Sequence, residues 1–444
     1  MTAVNNSPYP RPLVANYVLG ILVVAYILSF VDRNILSLMV GPIREEFGLS
    51  DFQFSILHGW SFTLFYVVLG LPIAWLADRY SRIRIIATGI TLWSLMTGLC
   101  GLAKSFPALF AARVGVGVGE AALSPAAYSL LADYFPPRRL KYATAIYASG
   151  IAIGSGGSFI LGGWLFEQYV AMGGLDIPAL GLHIKPWQLT FITVGLPGFL
   201  VALLLLLVKE PTRQKTALDG DEAAPVKEII QYLKKHRRAY IGVILGMSTM
   251  SVIGYGMLVW LPEFLLRTHG MQKAESGAWL GLIFIGAGTI GTICGAPMAE
   301  WLQRRGYEDA NLRFVAIIAV VLTVPATIAP LMPTVGWALG LYAVAQFLQF
   351  AHAGVGLAAL QLITPNRMRA QVSAVFVFAT NLLGLALGGT CVAFFTDFVF
   401  GRDDALNYSM AVTAVIFYPL TAIIVSSGLR GYCAAQAAVA GKGQ

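Results

Sequence analysis

Apolar residues recur in runs long enough to cross a bilayer, with short polar breaks between them, over nearly the whole chain. A spanning helix needs about 20 such residues. Breaks at charges, proline and glycine delimit runs near 13–40, 53–77, 83–103, 106–134, 142–168 and 187–208. The pattern resumes near 239–262, 276–299, 312–331, 335–362, 370–396 and 406–429. This predicts an all-α membrane protein with twelve transmembrane helices in two pseudo-symmetric six-helix bundles. The expected divisions are a first bundle over 1–208, a linker over 209–238, a second bundle over 239–430 and a tail over 431–444. In the linker, Val226, Ile229, Ile230 and Leu233 follow the i, i+3, i+4, i+7 pattern behind Pro225, which predicts a short amphipathic helix. Lys234, Lys235, Arg237 and Arg238 surround its end, so a place on an anionic leaflet is expected. A solvated tether with chance periodicity is the plainer alternative.

The halves look related. Gly70-Leu71-Pro72-Ile73-Ala74 has a counterpart in Gly295-Ala296-Pro297-Met298-Ala299, and Pro137-Arg138-Arg139-Leu140-Lys141 has one in Pro365-Asn366-Arg367-Met368-Arg369. Both offsets are close to half the chain, and both pairs fall between equivalent helices, which argues for a duplication. Basic residues set the expected orientation. Of the 30 Lys and Arg residues, 22 fall in the N-terminus, alternate loops, linker and tail (Lys442 included), and six in the opposite loops. The other two are Arg33 and Arg113. The positive-inside rule then puts both termini and the linker in the cytoplasm.

Composition excludes several classes. Of 444 residues, 57% are apolar and 12% are charged, about half the charge of a soluble domain. The net charge of +8 is scattered through short gaps and forms no stripe for nucleic acid. The four cysteines, Cys100, Cys294, Cys391 and Cys433, lack pairing or metal spacing and read as packing residues. Residues Met1 to Pro12 are polar without a cleavable apolar core, so the first run is expected to remain as a membrane helix. No His-Glu-x-x-His, Gly-x-Ser-x-Gly or Walker motif occurs, which argues against an enzyme or a nucleotide-driven pump. No cofactor or metal is expected.

The loop after the second run reads Ala74-Trp75-Leu76-Ala77-Asp78-Arg79-Tyr80-Ser81-Arg82-Ile83-Arg84. It resembles the signature loop of the major facilitator superfamily, with departures at Ala74, Ser81 and Ile83. The resemblance implies a latch of Asp78, Arg82 and Asp133 that forms when the transport cavity faces outward and breaks when it faces inward. Within the superfamily the chain resembles the Spinster group, through Val31-Asp32-Arg33-Asn34 and Arg113-Val114-Gly115-Val116-Gly117-Val118-Gly119-Glu120-Ala121. That implies export of lysolipids, with proton coupling proposed. The fifth helix lacks the proline of the drug–proton antiporter signature.

Charges inside a span cost at least ~2.5–3.5 kcal/mol each on insertion scales, so they normally face a cavity or a partner. Asp32, Arg33, Arg113 and Glu120 are the four in this chain. At 1.5 Å per residue, Asp32 and Arg33 lie roughly 12 Å deep, Arg113 roughly 10 Å and Glu120 roughly 21 Å. In the superfamily fold, the first and fourth helices line the cavity together. An Asp32–Arg113 pair is therefore expected, with Glu120 as the proton carrier because desolvation disfavours a carboxylate. A static pair that only fixes packing is the alternative. Gly115, Gly117 and Gly119 read as close packing. The second half offers weaker cavity candidates, namely Tyr255, Trp260, Gln349 and His352, beside Ser248, Met257 and Gln346. Such a lopsided cavity suits an amphiphile. The sequence therefore predicts a proton-coupled secondary transporter working by alternating access. Its expected substrate is an amphiphilic anion such as a lysolipid or a sphingosine-1-phosphate-like molecule. Proton-coupled transport of a small carboxylate is the alternative. A multi-pass monomer of the cell's inner (plasma) membrane is expected, with the lipid bilayer, substrate and protons as partners.

Overall fold

Within hydrocarbon every peptide N–H and C=O must be paired inside the protein, and a long single segment achieves this as a helix. In the computed structural model, which describes residues 9–178, 181–213 and 224–441, twelve helices are long and apolar enough to cross a membrane. Spans one to six are Pro12–Leu38, Asp51–Gly70, Arg82–Cys100, Phe106–Tyr134, Pro137–Ala171 and Pro186–Leu206. Spans seven to twelve are Arg237–His269, Lys273–Arg304, Ala310–Leu331, Val335–Leu362, Asn366–Phe400 and Asp403–Val439. Each covers one predicted run. Residues 1–8, linker residues 214–223 and the expected tail's 442–444, with Lys442, lie outside the described residues.

Local chemistry sets where these helices start and stop. The side chains of Ser50, Ser81 and Ser105 accept from the N–H groups of Gln53, Arg84 and Ala108, capping spans two, three and four. Pro12, Pro137 and Pro186 open spans one, five and six, where a missing N–H is harmless. Gly270 and Gly401, at φ 65° and 66°, end spans seven and eleven in the left-handed region. A two-stranded antiparallel hairpin, Leu175–Ile177 with Leu182–Ile184, stands between spans five and six. Residues 431–440, expected in a tail, instead prolong the last helix. Tyr432 and Ala435 are buried there, and the alanine-rich sequence favours continuing the helix.

Packing divides the chain into two units. The first holds the residues up to Phe47 and those from Ser61 to the start of the linker; the second holds Gly48–Trp60 and everything from Ala224 onward. Span two therefore changes unit at Ser61, just after a π-helical turn over Ile56–Trp60. In the first unit span one packs on five, two on four, and three on four and six. In the second unit span seven packs on eleven, eight on ten, and nine on ten and twelve. The same pattern recurring six spans later is what duplication of a six-helix bundle produces. Glycine closes matching interfaces: a Cβ at Gly154 would meet Phe30 Cβ at 2.7 Å, and one at Gly388 would meet Gly256 N at 2.7 Å.

The linker is tied down at both ends. The Tyr134 hydroxyl donates to Lys209 O at 2.9 Å, and Arg213 donates to the carbonyls of Ala77, Asp78 and Tyr80 in the first unit. Further on, Val226–Lys235 is helical, as its periodicity predicts. Only part of its apolar face meets protein. Ile229 is buried in the core of the second unit, and the Tyr232 hydroxyl donates to Ile363 O at 3.1 Å.

Candidate functional site

The four charges of spans one and four meet inside the first unit, all buried, with Arg113 at 0% and Asp32 at 1% exposure. Their pairing differs from the expected one. Arg33 Nη2 donates to Glu120 Oε2 at 2.6 Å. Arg113 Nη1 donates to the main-chain carbonyl of Asp32 at 3.2 Å, not to its carboxylate. Successive residues of a helix point about 100° apart, so Asp32 and Arg33 cannot both face the same neighbour. Arg33 takes the direction of Glu120 and its long side chain spans the difference in depth. Asp32 Oδ1, Glu120 Oε1, and Arg113 Nε and Nη2 are buried without a hydrogen-bond partner among the described residues. Buried polar atoms are normally satisfied, so such a group marks a place where chemistry is left to be done.

Aromatic rings complete the site, a feature that sequence reasoning missed. Arg33 Cζ lies 4.6, 4.8 and 5.2 Å from the ring centres of Phe62, Phe30 and Tyr66, and Arg113 Cζ lies 5.8 Å from Phe62. Desolvated cation–π contacts of this kind contribute up to about 2 kcal/mol each. Phe62 and Tyr66 sit one turn apart on span two, held against span four by glycine. A Cβ at Gly117 would lie 2.5 Å from Phe62 O, whereas one at Gly115 would meet the flexible Met96 side chain. Gly117→Val should therefore lower the thermal midpoint in detergent, at an overpacking cost of about 1–3 kcal/mol. Gly115→Ala should cost less. An unchanged midpoint for Gly117→Val would mean that spans two and four are not in contact there.

At the basic-loop end of the first unit, Arg82 joins two acids. Its Nη1 lies 2.5 Å from Asp133 Oδ2 and its Nε 2.9 Å from Glu210 Oε1. Its Nη1 also donates to Ser129 O and Oγ, while the Ser81 hydroxyl and the Arg82 N–H donate to Glu210. Asp78 does not share this cluster as expected. It is exposed, and the chain turns at Tyr80–Ser81 between it and Arg82. Glu210, in a stretch that reads as solvated linker, takes the second acid place. Burial pushes the Glu210 carboxyl up, but the hydrogen bonds from Ser81 and Arg82 outweigh it and hold the group below the usual glutamate range. A lowered carboxylate stabilises the fold in its ionised form, and that contribution fades as pH falls below about 4.3. Glu210→Gln should thus melt below the wild type at pH 7, and the gap should narrow in acid. A gap as wide at pH 3.5 as at pH 7 would remove charge as its source.

The weaker candidates lie in the second unit and do not form a charged site. Trp260 is buried and donates to Gly389 O at 2.8 Å, a tie between spans seven and eleven. Tyr255 is half-buried and packs at Gly384. Gln349 donates to Met250 O at 3.3 Å and accepts from the Tyr418 hydroxyl at 3.2 Å, beside a cavity of about 20 Å³. His352 is buried on span ten. The unit's strongest ion network is near the end of span seven, where Arg267 binds Asp51 at 2.8 and 2.9 Å and Glu263 at 2.8 Å.

Comparison with known proteins narrows what such a site serves. Residues 22–389 match the family described as Major Facilitator Superfamily. The chain is 28% identical over 380 residues to an MFS-type efflux pump of Mycolicibacterium smegmatis, covering 85% of this chain and 83% of that protein. It is 27% identical over 326 residues to the "Probable galactarate/D-glucarate transporter" of Bacillus subtilis, covering 66% and 67%. Among solved structures, it resembles a bacterial homologue of the human lysosomal transporter Spinster in an inward-facing, unoccupied conformation. There the TM-score is 0.79 at 26% identity, over 96% of this chain and 98% of that one.

Proposed function

The chain belongs to the Major Facilitator Superfamily, and we propose that it is a proton-coupled transporter of an amphiphilic anion, lysolipid-like in chemistry, working by alternating access. It is a multi-pass membrane transporter, not an enzyme, and it resembles the Spinster group. The observation that carries the reading is Arg113, fully buried with two N–H groups that no described residue accepts. A guanidinium with free donors suits a phosphate or carboxylate head. The rings of Phe30, Phe62 and Tyr66 around neighbouring Arg33 supply apolar surface beside it. Glu120 and Asp32 each keep one unpartnered carboxylate oxygen, where a proton can reside. Protonation of Glu120 would release Arg33, tying proton occupancy to the charge available to substrate, and such linkage runs in both directions. The basic-loop asymmetry supports cytoplasmic termini in the plasma membrane, and the wild-type chain is taken to act as a monomer.

A second reading is uptake of a small organic carboxylate, favoured by the likeness to a sugar-diacid transporter. Purified protein in proteoliposomes, under an imposed pH gradient and with lysolipids and sugar acids in counterflow, separates the two. Exchange of lysolipid alone supports the first reading. Exchange of the sugar acid alone replaces it with the second. Transport of either that ignores the pH gradient would overturn proton coupling.

A further inference from the structure

The linker helix leaves one side of its apolar face bare. Ile229 is buried in the second unit, whereas Val226 and Ile230 stay exposed, at 67% and 46%. At about 100° per residue, Val226, Ile230, Leu233 and Lys234 run along this open side, and Glu228 points nearly opposite. Between it and the first turns of span seven lies a groove of about 350 Å³, floored by Ile230, Leu233, Tyr240, Ile241, Ile244 and Leu245. Lys234 and Arg237 also line it, and no acid does. Ile241 and Leu245 are one turn apart on a membrane span and are 49% and 41% exposed. Apolar surface at that place meets acyl chains, not water.

We propose that this groove binds one anionic phospholipid, with its acyl chain along Ile241, Ile244 and Leu245 and its phosphate between Lys234 and Arg237. Charge complementarity selects the head group. Lys235 and Arg238 stand directly behind the lining pair, so four cations fall within five residues. A phosphatidylglycerol phosphate gains a guanidinium fork and an ammonium there. A phosphatidylcholine head brings its own cation into the same field. A soluble anion uses the two charges and leaves the apolar floor uncovered, so the groove is built for a lipid.

Native mass spectrometry of the full-length protein, equilibrated with equal phosphatidylglycerol and phosphatidylcholine, reads the bound lipid. Wild type should retain one phosphatidylglycerol in preference to phosphatidylcholine. Lys234→Gln with Arg237→Gln should cut retention about tenfold, the effect of losing one charge-assisted contact. Ile241→Trp fills the groove with both charges intact and should also displace the lipid. Arg304→Gln with Arg305→Gln removes two charges elsewhere on the same unit and should change nothing. Arg113→Gln, at the transport site, should leave retention intact, which separates this lipid from a transported one. Equal retention of the two lipids, unchanged retention in both groove variants, or equal loss in either control would overturn the proposal. Displacement of the lipid by glycerol phosphate at matching concentration would overturn it as well, since the floor would then contribute nothing.

Discussion

Glu120→Gln should still exchange substrate across a membrane while losing its response to an imposed pH gradient. In the wild type, Glu120 Oε2 accepts from Arg33 at 2.6 Å, and Oε1 has no hydrogen-bond partner among the described residues. Glutamine keeps an acceptor oxygen for the arginine and removes only the ability to ionise. This choice matters, because deleting one partner of a buried ion pair costs about 3–5 kcal/mol. Glu120→Ala would therefore confuse a folding defect with a coupling defect. The aromatic contacts to Arg33 are untouched in Glu120→Gln, so a folded protein is expected. The check is counterflow and gradient-driven uptake measured on the same vesicles. Counterflow should persist, and accumulation against a gradient should collapse. A wild-type pH response in the variant would move the coupling proton to Asp32, whose Oδ1 is likewise unpartnered.

Arg113→Lys should weaken substrate binding by about one to two orders of magnitude. A hydrogen bond to a charged group contributes about 1.5–3 kcal/mol, and 1.4 kcal/mol is a factor of ten. Lysine preserves the positive charge but not the planar fork, so an anion held by two parallel N–H groups loses one of them. Its ammonium also has a shorter reach to Asp32 O, which Arg113 now meets at 3.2 Å. Titration of binding by substrate-induced thermal shift reads the change without requiring transport. The matching Arg33→Lys variant should lose less affinity, because Arg33 is already engaged by Glu120 and three rings. Equal losses in the two variants would make the arginines joint ligands. Full affinity in Arg113→Lys would remove Arg113 from recognition.

The sequence reveals most about residues constrained by the membrane. Twelve spans are legible because hydrocarbon tolerates only self-satisfied helices, so each leaves an uninterrupted apolar run. Asp32, Arg33, Arg113 and Glu120 are legible for the converse reason, since each stands alone against that background. Which arginine meets which acid is not legible. It depends on the direction each side chain takes around its helix, and a one-residue step turns that direction by about 100°. Depth alone pairs Asp32 with Arg113, whereas the structure pairs Arg33 with Glu120. Phe62 and Tyr66 are hidden because aromatic residues are common in spans and carry no periodic signal of a cation beside them. Glu210 is hidden because a lone acid just after a span looks solvated. Its role depends on Arg82, 128 positions away in sequence.

Span four is interrupted immediately beyond the site. One helix runs Phe106–Glu120 and the next begins at Leu123, with the Ala122 N–H reaching back only as far as Gly119 O. Glu120 is thus the last residue of a helix whose peptide dipoles add up along its axis. Their sum leaves roughly half an elementary negative charge at that end. The guanidinium of Arg33 lies at this end, so it faces the field of a whole helix as well as one carboxylate. Backbone polarity cannot be mutated away or titrated. Part of the attraction holding Arg33 therefore survives when Glu120 is neutral, and a proton arriving at Glu120 loosens the arginine without setting it adrift.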